Sequence, residues 1–150
     1  MTLSIRAGTI TDLPAMMALE KHVATAAHWS AEQYEALFRA PDPGRAALVM
    51  QEESSLQGFV IARVVGEEWE IENVAIAGPA RRRGLGTRLL GELLDLARAQ
   101  DAVAVFLEVR ESNQAARALY EKWAFLESGR RRGYYKDPEE DAILYRLDFI

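Results

Sequence analysis

Six consecutive residues, Arg81-Arg82-Arg83-Gly84-Leu85-Gly86, carry the most telling chemistry of the chain. They stand between an apolar run, Asn73-Val74-Ala75-Ile76, and a helical pattern that opens with Thr87-Arg88-Leu89-Leu90. A strand, a basic glycine loop and a helix in that order gather backbone N–H groups that lack intrahelical partners at the positive end of a helix dipole. Such a pocket is a seat for phosphate. Gly84 and Gly86 remove side chains that would hold a pyrophosphate away, and Arg82, Arg83 and Arg88 can add charge. Two common nucleotide loops fail by spelling. A P-loop requires Gly-x-x-x-x-Gly-Lys-Ser/Thr, and no lysine stands here. A dinucleotide fingerprint requires a third glycine where Leu89 stands, and an early parallel βαβ unit.

The elements that must hold this loop show in the hydrophobic pattern. Residues 3–6 alternate as a short strand, and Thr11-Asp12-Leu13-Pro14 opens a helix with a capping residue and a first-turn proline. Ser30-Ala31-Glu32-Gln33 offers a capping box for a second helix to about Arg39, which Pro41-Asp42-Pro43-Gly44 stops. Three strand-like runs follow at 46–51, 56–65 and 68–76, with turns at Ser54-Ser55 and Gly66-Glu67, and they read as an antiparallel meander. After the glycine loop a helix runs to about Gln100 with Leu85, Leu89, Leu93 and Leu96 on one face. Residues 102–109 are almost continuously apolar, the mark of a strand buried on both faces. Ser112-Asn113 caps a helix from Gln114 to about Trp123, and strand runs at 125–128, 132–136 and 142–149 complete the chain. The pattern predicts one α+β domain spanning residues 1–150, with a mostly antiparallel sheet carrying helices on its faces.

Composition narrows the function classes. Eighteen basic and 23 acidic residues give a net charge of −5, which disfavours nonspecific binding to nucleic acid or anionic membrane. The absence of cysteine removes disulfides and thiolate chemistry. His22 and His28 have no acidic neighbour at ligand spacing, so no metal site is expected. No leader pattern or membrane-length apolar stretch is present, and a cytoplasmic protein is the expectation.

The Arg-x-x-Gly-x-Gly loop after Asn-Val-Ala-Ile resembles the acyl-CoA loop of the GNAT superfamily of N-acetyltransferases. The likeness continues through Trp69–Ile76, Phe106-Leu107-Glu108-Val109-Arg110-Glu111-Ser112-Asn113-Gln114-Ala115-Ala116, Leu119-Tyr120-Glu121, Arg131-Arg132-Gly133-Tyr134-Tyr135 and Glu140-Asp141-Ala142-Ile143. Over about residues 66–146 this is similar to the RimI-type ribosomal-protein-alanine N-acetyltransferases. The resemblance implies a twisted sheet of about seven strands with a splayed central pair. It also implies acetyl-CoA as co-substrate, gripped by Arg82, Arg83, Gly84, Leu85, Gly86 and Thr87, with a further contact from Asn113. Backbone N–H groups of Val74, Ala75 and Ile76 would polarise the thioester carbonyl.

From the residues alone, Glu108 is either a solvated strand-end carboxylate or a base at the end of the most apolar strand. Tyr120 is either a core residue among Ala116, Leu119 and Trp123 or a proton donor into a cleft, and Asn113 is a helix N-cap. The resemblance makes Glu108 the general base and Tyr120 the general acid. It implies a protein N-terminus as acceptor, the alanine of small-subunit ribosomal protein eighteen. Trp29, Tyr134 and Tyr135 are candidate walls of the peptide groove. Glu70, Glu72, Glu111, Glu139, Glu140 and Asp141 are acidic residues that could attract a basic peptide or form a solvated surface. Two positions depart from the family pattern: His28, where proline is usual before Trp-Ser, and Ala124, where glycine is usual. A small-amine acetyltransferase and a non-catalytic acyl-CoA sensor are the alternative readings.

Overall fold

The computed structural model describes residues 2–23, 26–39, 44–78 and 84–149. Seven strands form one sheet: β1 (Leu3–Ala7), β2 (Arg45–Glu52), β3 (Ser55–Val65), β4 (Glu68–Ile76), β5 (Ala104–Arg110), β6 (Leu126–Tyr135) and β7 (Glu140–Asp148). Their order is β1-β2-β3-β4-β5-β7-β6. Each neighbouring pair is antiparallel except β4 and β5, which run parallel. The helices are α1 (Leu13–Glu20), α2 (Ala31–Leu37), α3 (Leu85–Ala99) and α4 (Gln114–Lys122). The proline stop expected at Pro41-Asp42-Pro43 lies outside the described residues, as do Arg81, Arg82 and Arg83.

Helices cover both faces of the sheet. The leucine stripe of α3 buries Leu85, Leu89, Leu90, Leu93 and Leu94 against Met50, Val60, Trp69, Val105 and Leu107. On the other face α1 and α2 set Met16, Tyr34 and Leu37 on Val49, Phe59, Ile61 and Ala75. Burial of each large apolar side chain contributes about 1.5–3 kcal/mol, so these two layers fix the sheet between them.

One irregularity decides what β4 presents. Ile61 pairs with Asn73 and Ala62 with Ile71, so Glu72 is an extra residue, a β-bulge. Side chains alternate along a strand, and one extra residue exchanges the faces. Trp69 and Ile71 accordingly lie in the α3 core, whereas Ala75 lies in the α1/α2 core.

Two expectations shift in the structure. The first helix is entered by a 3-10 turn, Ile10–Asp12, whose N-cap is Thr9 rather than Thr11. Asp12 draws the turn tight, accepting from Thr9 N–H at 2.8 Å and from both terminal nitrogens of Arg6 at 2.8 Å. The runs 125–128 and 132–136 are one strand, β6. Gly129 and Gly133 lie where its pairing with β7 shifts register.

Helix α4 ends in a Schellman turn, in which Phe125 N–H donates to Tyr120 C=O and Ala124 N–H to Glu121 C=O, both at 3.0 Å. The residue at the left-handed position is Ala124, with φ of 71°. A Cβ there is unfavourable, and glycine relieves it. Replacing Ala124 by Gly is expected to stabilise the protein by about 1 kcal/mol, a rise in Tm of about 2–4 °C by calorimetry.

Candidate active site

The parallel pairing of β4 and β5 is short. It runs from Glu68 opposite Ala104 to Ile71 opposite Leu107 and stops. Beyond that point the strands diverge, and a cleft of about 860 Å³ opens between them, lined by both strands and by the first turns of α3 and α4. The bulge at Glu72 falls where the divergence begins.

On the α3/α4 side the walls are Val74, Ile76, Gly84, Gly86, Thr87, Asn113, Ala116, Leu119 and Tyr120. The N-cap of α3 is Gly84, at φ of 70°, and among the described residues no side chain caps the helix. Its first N–H groups lack intrahelical partners and suit an external acceptor. Gly84 requires its left-handed backbone. Gly86 has no such need, because an added Cβ would meet only Ile76 and Leu119 at ordinary contact distances of 3.7 and 3.8 Å. Among the described residues no contact of the fold requires that glycine, which lines the cleft. Asn113 caps α4 by accepting from Ala116 N–H at 3.2 Å and faces the same space. Trp123 Nε1 donates to Thr87 C=O at 3.1 Å, tying the end of α4 to the start of α3.

Tyr120 is buried, with rings of Phe125 and Tyr145 at 5.6 and 6.2 Å. Its hydroxyl has no hydrogen-bond partner among the described residues, and the side chain lines the cleft. Burial, followed by the nearby Tyr135, holds the phenol pKa above its ordinary value, so the group keeps its proton.

The opposite mouth is acidic and aromatic. Val105, Leu107 and Val109 point into the α3 core, so Glu108 emerges on the α1/α2 face. Glu108 lines the cleft and accepts from Arg131 Nε at 2.6 Å, leaving its second oxygen without a hydrogen-bond partner among the described residues. Glu70 lines the cleft on the same side, its pKa raised first by burial and then by Glu72 and Glu108. Trp29, Tyr134 and Tyr135 complete this mouth. Arg131 stacks 5.6 Å from the Tyr134 ring and Arg110 4.3 Å from that of Tyr135.

The structure therefore brings together Glu108, Tyr120, Val74, Ile76, Gly84, Gly86, Thr87, Asn113, Trp29, Tyr134 and Tyr135 around one cleft. It turns two expected residues away from it. The Ala75 side chain is buried in the α1/α2 core and that of Leu85 in the α3 core, so either could act only through its backbone. Arg88 is exposed and off the cleft wall. Arg82 and Arg83 lie outside the described residues. Of the six acids noted in the sequence, five are engaged by cations: Glu72 by Arg45, Glu111 and Asp141 by Arg130, Glu140 by Arg110 and Glu139 by Lys136. Glu70 makes no ion pair among the described residues. The Arg131 contact with Glu108 has no signal in residue spacing, because it depends on the pairing of β6, β7 and β5. Among the described residues no group of three or more His, Asp or Glu could hold a metal, and no helix is long and apolar enough to cross a membrane.

A split parallel pair beside an uncapped, glycine-opened helix is the architecture of an acyl-CoA transferase. The chain belongs to the acetyltransferase (GNAT) family, which matches residues 13–125, and is an acetyl-CoA-dependent N-acetyltransferase. It is 37% identical over 139 residues to the [ribosomal protein bS18]-alanine N-acetyltransferase of Salmonella typhimurium and 38% identical over 141 residues to that of Escherichia coli. In each case the match covers 91% of both chains. The crystal structure of the Escherichia coli ribosomal-protein-alanine N-acetyltransferase superposes with a TM-score of 0.87 at 32% identity, covering 98% of this chain and 94% of that one. Arabidopsis thaliana NAA60 in complex with acetyl-CoA shares the fold, with a TM-score of 0.87 at 17% identity over 99% of both chains.

The Gly86 geometry separates binding from folding. Substituting Ala at Gly86 adds a methyl group between Ile76 and Leu119 and removes the helical cost of glycine, about 1 kcal/mol. The variant is expected to melt no lower than wild type while its acetyl-CoA Kd rises about tenfold, as titration calorimetry would show.

Proposed function

We propose that the chain transfers an acetyl group from acetyl-CoA to the N-terminal alanine α-amine of ribosomal protein bS18, with Glu108 as general base and Tyr120 as general acid. The observation that carries this reading is that a carboxylate and a protonated phenol reach one cleft from opposite sides, at the point where β4 and β5 part. The names of the full-length relatives support the acceptor.

The geometry divides the work. On the α3/α4 side, the N–H groups at the start of α3 hold the pyrophosphate, and the freed edge of β4 aligns the thioester arm. From the other side the peptide enters between Trp29 and the Tyr134–Tyr135 pair. Glu70, which makes no ion pair among the described residues, lends negative charge to the mouth that receives its ammonium group. An α-amine has a pKa of about 7.7–8.0, so the base needs only modest strength and positioning contributes much of the rate. Glu108 takes the proton released by the amine through the oxygen that Arg131 leaves unengaged. The amine nitrogen bonds to the acetyl carbon, the C–S bond breaks, and Tyr120 gives its proton to the departing sulfur.

Acetylation of an Ala-initiated bS18 peptide, followed by thiol release, tests this reading. Glu108→Gln and Tyr120→Phe are each expected to lower kcat by about 10²-fold or more with the acetyl-CoA Kd nearly unchanged. Wild-type turnover of polyamines in preference to the peptide would sink the acceptor assignment. Coenzyme binding without turnover of any amine would make the chain a sensor.

The pH dependence follows from signs. The fraction of neutral amine rises through about pH 8, so kcat/KM should climb there. The Tyr120 pKa is raised, so its acid form persists to high pH and loss of the phenol proton should produce no fall in rate below about pH 10. A Tyr120-dependent descending limb near neutrality, seen in wild type and absent in Tyr120→Phe, would contradict the assigned proton donor.

A further inference from the structure

The wall of the acceptor mouth includes Ala27-His28-Trp29, a segment between α1 and α2 with no regular structure of its own. Its backbone is held from below by buried side chains. Asn73, only 3% exposed, accepts from Ala27 N–H through Oδ1 at 3.1 Å. Its Nδ2 donates to Glu20 Oε2 at 2.8 Å and to the Tyr34 hydroxyl at 3.2 Å. Glu20, 4% exposed, uses the same oxygen to accept from Trp29 N–H at 3.1 Å. From outside, the Trp29 ring meets Tyr34 at 5.4 Å and the Arg45 guanidinium at 5.5 Å, and Glu72 accepts from Arg45 Nε at 2.8 Å.

Both sets of tethers converge on Glu72 and Asn73, the bulge and the residue after it. Without the bulge, Asn73 would share the α3 face with Trp69 and Ile71. The bulge turns its amide under the loop instead. A buried Asn-Glu pair has strict partner requirements, because an unmade hydrogen bond in such a place costs about 1–3 kcal/mol. His28 adds a second constraint, with φ of 57°. Proline, fixed near φ of about −65°, cannot occupy that conformation.

We infer that Glu20 and Asn73 are positioning residues for the acceptor: they fix Ala27-His28-Trp29 against the diverging strands and thereby set acceptor binding, while donor binding is independent of them. The inference rests on the reading that the acceptor enters from the α1/α2 face.

Steady-state kinetics with both substrates varied tests it. Asn73→Ala and Glu20→Ala are expected to raise the acceptor KM about tenfold or more while the acetyl-CoA Kd stays within about twofold. Glu20→Gln retains an oxygen that can accept from Trp29 and Asn73, and should recover most of the acceptor affinity. His28→Pro leaves the buried pair intact but cannot hold the loop, and should raise the acceptor KM likewise, which covers the case in which Asn73→Ala fails to fold. Hydrogen exchange should show amide protection over residues 26–30 that Asn73→Ala or His28→Pro abolishes. An unchanged acceptor KM in these variants, or donor and acceptor constants that rise together, would overturn the inference. If wild type uses a small amine instead of the peptide, the proposed acceptor falls, and the same KM comparison made with that amine still decides the role of the network.

Discussion

The functional architecture depends on an interruption in hydrogen bonding. Strands β4 and β5 pair over four residues each and then separate. Continuation of the register would set Glu72 directly against Glu108, and like charges in facing positions destabilise a sheet. Glu72 is instead drawn to Arg45 and Glu108 to Arg131, on opposite flanks of the opening. Beyond Ile71 the backbone of β4 makes no ladder pairing with β5, and buried polar backbone groups require partners. A substrate arm with amide groups can supply them.

The two helical layers give the opening two different sides. The α3/α4 side ends at a helix opened by Gly84 and Gly86; the α1/α2 side is acidic and aromatic. A single bulge keeps these chemistries apart, because it reverses which core each half of β4 serves. Most of the surrounding acids, Glu108 included, are paired with cations, so among the described residues the acidic carboxylate of this mouth left without an ion pair is Glu70.

Much of this was legible in the residues. Apolar periodicity located the strands and the leucine stripe of α3, and the glycine loop pointed to a phosphate-bearing ligand. The cap at Asn113 could be read because a local side-chain hydrogen bond defines it. Contacts across the sheet were less accessible. Arg131 reaches Glu108 only through the stacking order of β5, β7 and β6, and Glu20 and Asn73 are 53 positions apart. The gap between the runs 125–128 and 132–136 reads as a break between strands, yet Gly129 there serves a register shift within β6, and local composition does not distinguish the two. The two departures from the family pattern, His28 and Ala124, both fall at left-handed backbone positions. At Ala124 a glycine would fit the conformation better; at His28 a proline would be impossible.

The hydrogen bond from Trp123 to Thr87 carries a consequence for donor choice. It joins the helix that holds Tyr120 to the turn proposed to face the phosphate, so the span between the proposed anion seat and the proposed proton donor is set by the protein. On the proposed roles the site would act as a gauge. A thioester carrier with a shorter or longer arm could fill the seat, yet its sulfur would arrive out of register with the phenol.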